Sequence, residues 1–282
     1  MKLLRFGPIG QEKPGLMDGN GRIRDLSGLI NDIGPDTLAP ERLAQLAKHN
    51  LDDLPLVDTP SRLGPCVSGV GKFLAIGLNY LDHAAETKMD MPPEPLVFSK
   101  AVSCLAGPND GLIMPKGSTC TDYEVEMAVI IGSRAQYVSE ENALDYVAGY
   151  AVTNDYSERE FQIERGGQWV KGKSFDGFGP LGPWLVTKDE IPNPQNLNLW
   201  CDVNGKRRQD ANTKDMVFGV ARIVSNLSNY MTLMPGDVIS TGTPPGVGLG
   251  HKPPLYLKAG DIVELGVEGL GQQRQEIKNW KE

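Results

Sequence analysis

Asp122-Tyr123-Glu124-Val125-Glu126-Met127-Ala128-Val129-Ile130-Ile131-Gly132 reads as a β-strand, because Val, Ile and Tyr dominate it and a glycine closes it. Side chains alternate faces along a strand, so Val125, Met127, Val129 and Ile131 form one apolar row. Glu124 and Glu126 then stand side by side on the opposite face, with small Ala128 next in line. Adjacent carboxylates on one strand face repel unless they are solvated or neutralised. A hard divalent cation neutralises them with oxygen ligands. A solvated strand face carries the same pattern, and this stretch alone leaves both readings open.

A second stretch bears on the choice. Val147-Ala148-Gly149-Tyr150-Ala151-Val152-Thr153-Asn154-Asp155 is another apolar strand, and it ends in a carboxylate. Ser157-Glu158-Arg159-Glu160 follows with the spacing of a helix capping box. Asp155 therefore sits at a predicted strand-to-helix corner, where it either caps the helix start or serves a site. Spacing does not bring it near the glutamate pair.

These segments, with others, resemble the fumarylacetoacetate hydrolase family. The resemblance is carried by Gly77-Leu78-Asn79-Tyr80 with His83 and Glu86, the Tyr123-to-Glu126 strand, and Asn154 through Gln162. It continues in Lys171-Gly172-Lys173-Ser174-Phe175-Asp176, in Gly179-Pro180-Leu181-Gly182-Pro183-Trp184, and in Pro235 through Pro244. Each motif is modest alone, but their order over residues 72–270 is specific. The resemblance implies Glu124, Glu126 and Asp155 as ligands of a Mg²⁺ or Mn²⁺ ion. It also implies a mixed β-sandwich roll behind a small N-terminal domain, assembled as a homodimer.

Composition agrees with a globular enzyme. The chain of 282 residues is long enough for a substantial core, and acidic residues outnumber basic ones 36 to 28, for a net charge of −8. No basic block interleaved with aromatics appears, so no nucleic-acid partner is expected. The apolar runs are far shorter than a membrane span, and Gly7-Pro8 breaks the N-terminal segment too early for a signal peptide. A cytoplasmic protein is the expectation. Cys66, Cys104, Cys120 and Cys201 lie far apart, and His49, His83 and His251 share no zinc spacing. Thiolate and zinc chemistry are disfavoured, and oxygen ligands favour Mg²⁺ or Mn²⁺.

The expected organisation is a small N-terminal domain and linker over residues 1–70 and a catalytic domain over 71–282. Strands are predicted over residues 2–6, 73–77, 123–131, 150–154, 197–203, 238–241 and 262–267. Helices are predicted over 40–49, 81–88, 140–146, 157–165 and 216–231, and residues 55–65 read as a Pro-rich linker. Sequential strands with few helices argue for an α+β fold rather than a doubly wound parallel sheet.

Further candidates follow. His83 and Glu86, three apart on a predicted helix, share a face, so the carboxylate can orient the imidazole as a base; a solvated helix pair has the same spacing. The resemblance places this pair on a mobile lid that activates water, and assigns the variable end of the substrate to lid residues 87–92. Lys173 lies among glycines and aromatics, where a lysine can approach an anion, and Lys100 matches a family position. Arg159 and Gln162, one turn apart, can hold a carboxylate jointly. The run Thr241 to Gly250 is glycine-rich but lacks a Gly-Lys-Ser/Thr, so it does not read as a nucleotide loop; it can present N–H groups and the Thr243 hydroxyl to an anion. By resemblance, the substrate is a small anionic 2-oxo acid, an acylpyruvate such as a 2,4-diketo-3-deoxy sugar acid. Its C3–C4 bond is cleaved by water through a metal-stabilised pyruvate enolate. Ureidoglycolate lyase, 2-oxo acid decarboxylase and 2-hydroxydienoate isomerase activities fit the same residues, and a non-catalytic metal scaffold fits least.

Overall fold

The structure is a computed structural model that describes residues 1–58, 60, 62–87 and 90–281. Its main layer is a ten-stranded mixed sheet. From edge to edge it runs Leu56–Val57, Ile23–Asp25, Lys13–Met17, Lys2–Phe6, Leu185–Thr187, Val147–Asn154, Val125–Ile131, Val238–Ser240, Phe73–Gly77 and Leu96–Lys100. A second sheet has the order Lys206–Asn212, Asn198–Val203, Ile262–Val267, Gly271–Lys278 and Leu112–Ile113. It packs on the two central strands of the first, so the α+β expectation holds.

The strand Val125–Ile131 lies in the middle of the large sheet, and all seven of its residues are buried. A strand covered on both faces has no solvated side, so the reading of Glu126 as a surface carboxylate fails here. The helix Val220–Tyr230 contributes Val220, Ile223, Val224 and Leu227 to the core, the i, i+3, i+4, i+7 stripe of an amphipathic helix.

Several sequence boundaries shift for physical reasons. The capping box at Ser157 does not form. Ser157–Glu158 pairs as a strand with Thr121–Asp122, and the Ser157 hydroxyl donates back to the Asp155 carbonyl at 3.0 Å. The helix is only Arg159–Ile163, capped by the Glu158 side chain, which accepts the Phe161 N–H at 2.9 Å. Residues 140–146 form a 3₁₀ helix rather than an α-helix. Strands over Lys13–Met17, Ile23–Asp25 and Leu96–Lys100 carry no strict alternation and escape a periodicity reading. The Pro-rich 55–65 segment includes the strand Leu56–Val57, and Lys2–Phe6 pairs with Leu185–Thr187, so the N-terminal strands extend the large sheet. Among the described residues no helix is long and apolar enough to cross a membrane.

Candidate metal centre and active site

The site is built where two antiparallel strands end. Val125 pairs with Asn154 and Glu126 with Thr153, so the same register sets Glu124 opposite Asp155. The Asp155 N–H donates to the Glu124 carbonyl at 2.9 Å, and the Asn154 side chain accepts the Glu124 N–H at 2.8 Å. Register thus supplies the proximity that spacing could not. One carboxylate oxygen from each of Glu124, Glu126 and Asp155 lies within 4.8 Å of the others, and all three residues are buried.

Buried charges surround this triad. Lys173 Nζ bridges Glu124 Oε2 at 2.5 Å and Asp155 Oδ2 at 2.8 Å, while Lys100 pairs with the other Asp155 oxygen and donates to the Phe178 carbonyl at 3.1 Å. Arg159 Nη2 stands 2.7 Å from Glu124 Oε1 and 2.9 Å from Asp122 Oδ2, without aligning a hydrogen bond to either. Its Nε donates to Asp122 and its Nη1 to Gln162 Oε1, at 2.9 and 3.0 Å. Among the described residues Glu126 has only neutral donors, the Ser240 hydroxyl at 2.5 Å and the Gly242 N–H at 2.6 Å.

Four buried carboxylates (Asp122, Glu124, Glu126, Asp155) therefore meet three buried cations (Lys100, Arg159, Lys173). The surplus falls on Glu126. Burial, and then the charges of Asp155 and Glu124, push its carboxyl well above the ordinary 4.5. Burial also opposes charge on Glu124, but Lys173 and Arg159 overcome it and hold that carboxyl down to about 2. Burial would lower Lys173, but Asp155 and Glu124 raise it above its usual 10.5. A buried three-carboxylate pocket short of one positive charge fits a hard divalent cation with oxygen ligands.

His83 is buried at the pocket, with Nδ1 3.4 Å from Glu86 Oε2. The two residues do share a face, at the outer limit of a hydrogen bond. Glu86 in turn accepts the Gly246 N–H with both oxygens at 3.1 Å, which fastens the helix Leu81–Thr87 to the glycine-rich run. That run does present N–H groups to anions, but the anions are the protein's own. Gly248 and Leu249 donate to Asp122 at 2.6 and 2.9 Å. Thr243 lines the pocket, yet its hydroxyl donates to the Val125 carbonyl at 3.0 Å and accepts from Gln209 at 2.8 Å, so its proton is already committed. Of the lid segment 87–92, residues 88 and 89 lie outside the described residues.

Two features escaped the sequence reading. Asp122 joins Arg159 to the glycine-rich loop, and the signal was present, since Asp122, Glu124 and Glu126 occupy alternate positions. Trp169 lines the pocket with Gly77 and Phe98, and nothing local marks the tryptophan. Asp237, ahead of its strand, takes the Met234 and Lys72 N–H groups and the Lys72 ammonium, so it remains a structural turn residue.

Comparison with known proteins accords with this geometry. A Burkholderia orbicola (strain MC0-3) protein provisionally named a hydrolase is 60% identical over 280 residues, 99% of each chain. The structure of fumarylacetoacetate hydrolase from psychrophilic Exiguobacterium antarcticum is 35% identical with a TM-score of 0.85, covering 99% of this chain and 100% of that one. Maleylpyruvate hydrolase from Sphingobium sp. SYK-6, solved with manganese(II) and pyruvate, is 29% identical with a TM-score of 0.83 and full coverage of both chains. The model of the fumarylacetoacetate (FAA) hydrolase C-terminal domain matches residues 72–278. With most of its length matched, its fold shared and its carboxylate triad assembled, the chain belongs to the fumarylacetoacetate hydrolase family.

Proposed function

We propose that this protein hydrolyses a C–C bond of a small 2,4-dioxo acid, releasing pyruvate. The observation that carries the reading is the convergence of the carboxylate triad, Lys173, Arg159 and His83 on one pocket, with Lys100 backing Asp155 and Glu86 backing His83. Glu124, Glu126 and Asp155 would hold Mg²⁺ or Mn²⁺, which when bound supplies Lewis-acid polarisation and charge stabilisation at the pyruvoyl oxygens. Arg159, steadied by Asp122 and Gln162, supplies positive charge for the substrate carboxylate. Lys173 adds positive charge where negative charge develops on leaving pyruvate.

Glu86 contacts Nδ1 of His83 and orients the ring, and the imidazole takes a proton from water as the water attacks the acyl carbonyl. His83 then returns that proton to C3 of the departing three-carbon unit, so one water is consumed and pyruvate and a carboxylic acid leave. Lys100, bound to Asp155, positions that ligand rather than the substrate. In the same reading residues 1–70 form a small N-terminal domain and 71–282 the catalytic one, the protein works as a homodimer in the cytoplasm, and a 2,4-diketo-3-deoxy sugar acid is a fitting substrate.

The test is pyruvate release from a panel of acylpyruvates with Mg²⁺ or Mn²⁺. His83→Ala should lose about 10²–10⁴-fold in kcat while metal affinity stays within about twofold. Undiminished hydrolysis in that variant would remove His83 from the mechanism, and no pyruvate from any substrate would refute the proposal.

A further inference from the structure

Beyond the charged centre the pocket changes character. Lys173 Nζ lies over the Phe98 ring, 5.3 Å from its centroid, and Phe98 also meets Trp169 edge-on at 5.2 Å. Phe98 thus marks the boundary between a charged end and an apolar end. Trp169 lies against the Gly77 backbone, where a Cβ would come within 2.5 Å of its ring, so the absence of a side chain at Gly77 seats the indole. Ile76, Leu78, Ile163 and Leu249 are the other apolar residues that line the pocket. Ile163 remains 42% exposed at the mouth. Trp169 also directly precedes the short helix Val170–Lys173, so one rigid turn carries both the pyruvoyl-facing lysine and the apolar wall.

We propose that this wall receives the acyl end of the substrate, and that this end is short and carries no carboxylate. The inference rests on the acylpyruvate reading above and specifies its substrate class. Among the described residues, the lysine and arginine that line the pocket, Lys173 and Arg159, are both engaged by protein carboxylates at the pyruvoyl end. A second carboxylate laid against Phe98 and Trp169 would lose water without gaining a counter-charge. The free space in this partly open pocket is about 30 Å³, room for about two waters, which favours a short tail. A methyl group meets no such penalty, and a hydroxyl meets a smaller one than a charge does.

The experiment separates tail from head. Pyruvate, 2-oxohexanoate and 2-oxoglutarate share a head and differ in length and in charge at the tail. Calorimetric titration of each into the Mn²⁺-loaded protein should place 2-oxohexanoate at least about tenfold tighter than 2-oxoglutarate, within the range that pocket contacts deliver. Trp169→Ala should erase that preference and leave pyruvate affinity within about twofold, whereas Trp169→Leu should retain the preference. Ile163→Lys, at an exposed position, should move the ratio toward 2-oxoglutarate by tenfold or more. Pyruvate binding accompanied by equal or tighter binding of 2-oxoglutarate would overturn the inference alone. Failure of pyruvate itself to bind would overturn the inference together with the reading beneath it.

Discussion

Glu126→Gln isolates the one carboxylate of the centre that, among the described residues, lacks a cationic partner. In the metal-free protein Glu126 is held by Ser240 and Gly242 donors, and burial beside Asp155 and Glu124 keeps its proton on above the ordinary 4.5. A divalent ion must displace that proton. Apparent metal affinity should therefore rise about tenfold per pH unit, roughly 1.4 kcal/mol, up to the raised value, and level off above it. The amide oxygen can accept from the same two donors, so the variant keeps its contacts while losing the surplus charge. The sign for stability follows. The unfolded carboxyl ionises near 4.5 and the folded one later, so the metal-free wild type loses stability as pH climbs from 4.5 to the folded value. The variant escapes that loss, and at pH 8 its metal-free Tm should equal or exceed that of the wild type. Metal at about 100 times Kd should add about 2.7 kcal/mol to the wild type, roughly 5 °C for a chain of this size. The variant should gain less than about 1 °C. Calorimetry in two buffers of different ionisation enthalpy counts the released proton, and scanning fluorimetry reads Tm. Equal pH slopes for the two proteins, or a metal-dependent shift that survives in the variant, would refute the argument.

Other expectations follow from neighbouring contacts. Gly250→Ala drives a methyl group into the Glu86 carboxylate, so the lid helix should be displaced; kcat should fall about tenfold or more with metal affinity unchanged, and an unaltered kcat would show that the lid tolerates the methyl. Asp122→Asn breaks a buried ion pair with Arg159 and places an NH₂ near the Leu249 N–H. It should cost about 3–5 kcal/mol in urea unfolding and raise KM for every 2-oxo acid, and a cost below about 1 kcal/mol would count against the anchoring role. Glu124, held down to about 2, stabilises the fold above its unfolded 4.5 and loses that contribution as pH falls toward 2. The urea midpoint should therefore drop across that window in the metal-free wild type and in Glu126→Gln alike, and a flat acid limb would contradict the assignment.

Local signals sufficed where the chemistry is local. Apolar alternation marked Ile262–Val267 to the residue, and the strand carrying Glu126 and the one ending before Asp155 stood out because β-branched residues and glycine stops are short-range features. Those two carboxylate-bearing stretches offered Glu124, Glu126 and Asp155, whereas His83 with Glu86 and Lys173 were singled out by the family resemblance. What the chain could not announce was pairing across distance. The antiparallel register sets Glu124 opposite Asp155. The strand Leu96–Lys100, paired with Phe73–Gly77, delivers Lys100 beneath the centre, and the loop at Gly248 closes on Asp122. Charge state is also a tertiary property. Glu124 and Glu126 are the same residue two positions apart, yet one is held ionised and the other pressed toward its neutral form. The difference is which cations and dipoles long-range folding brings beside each oxygen after water is gone.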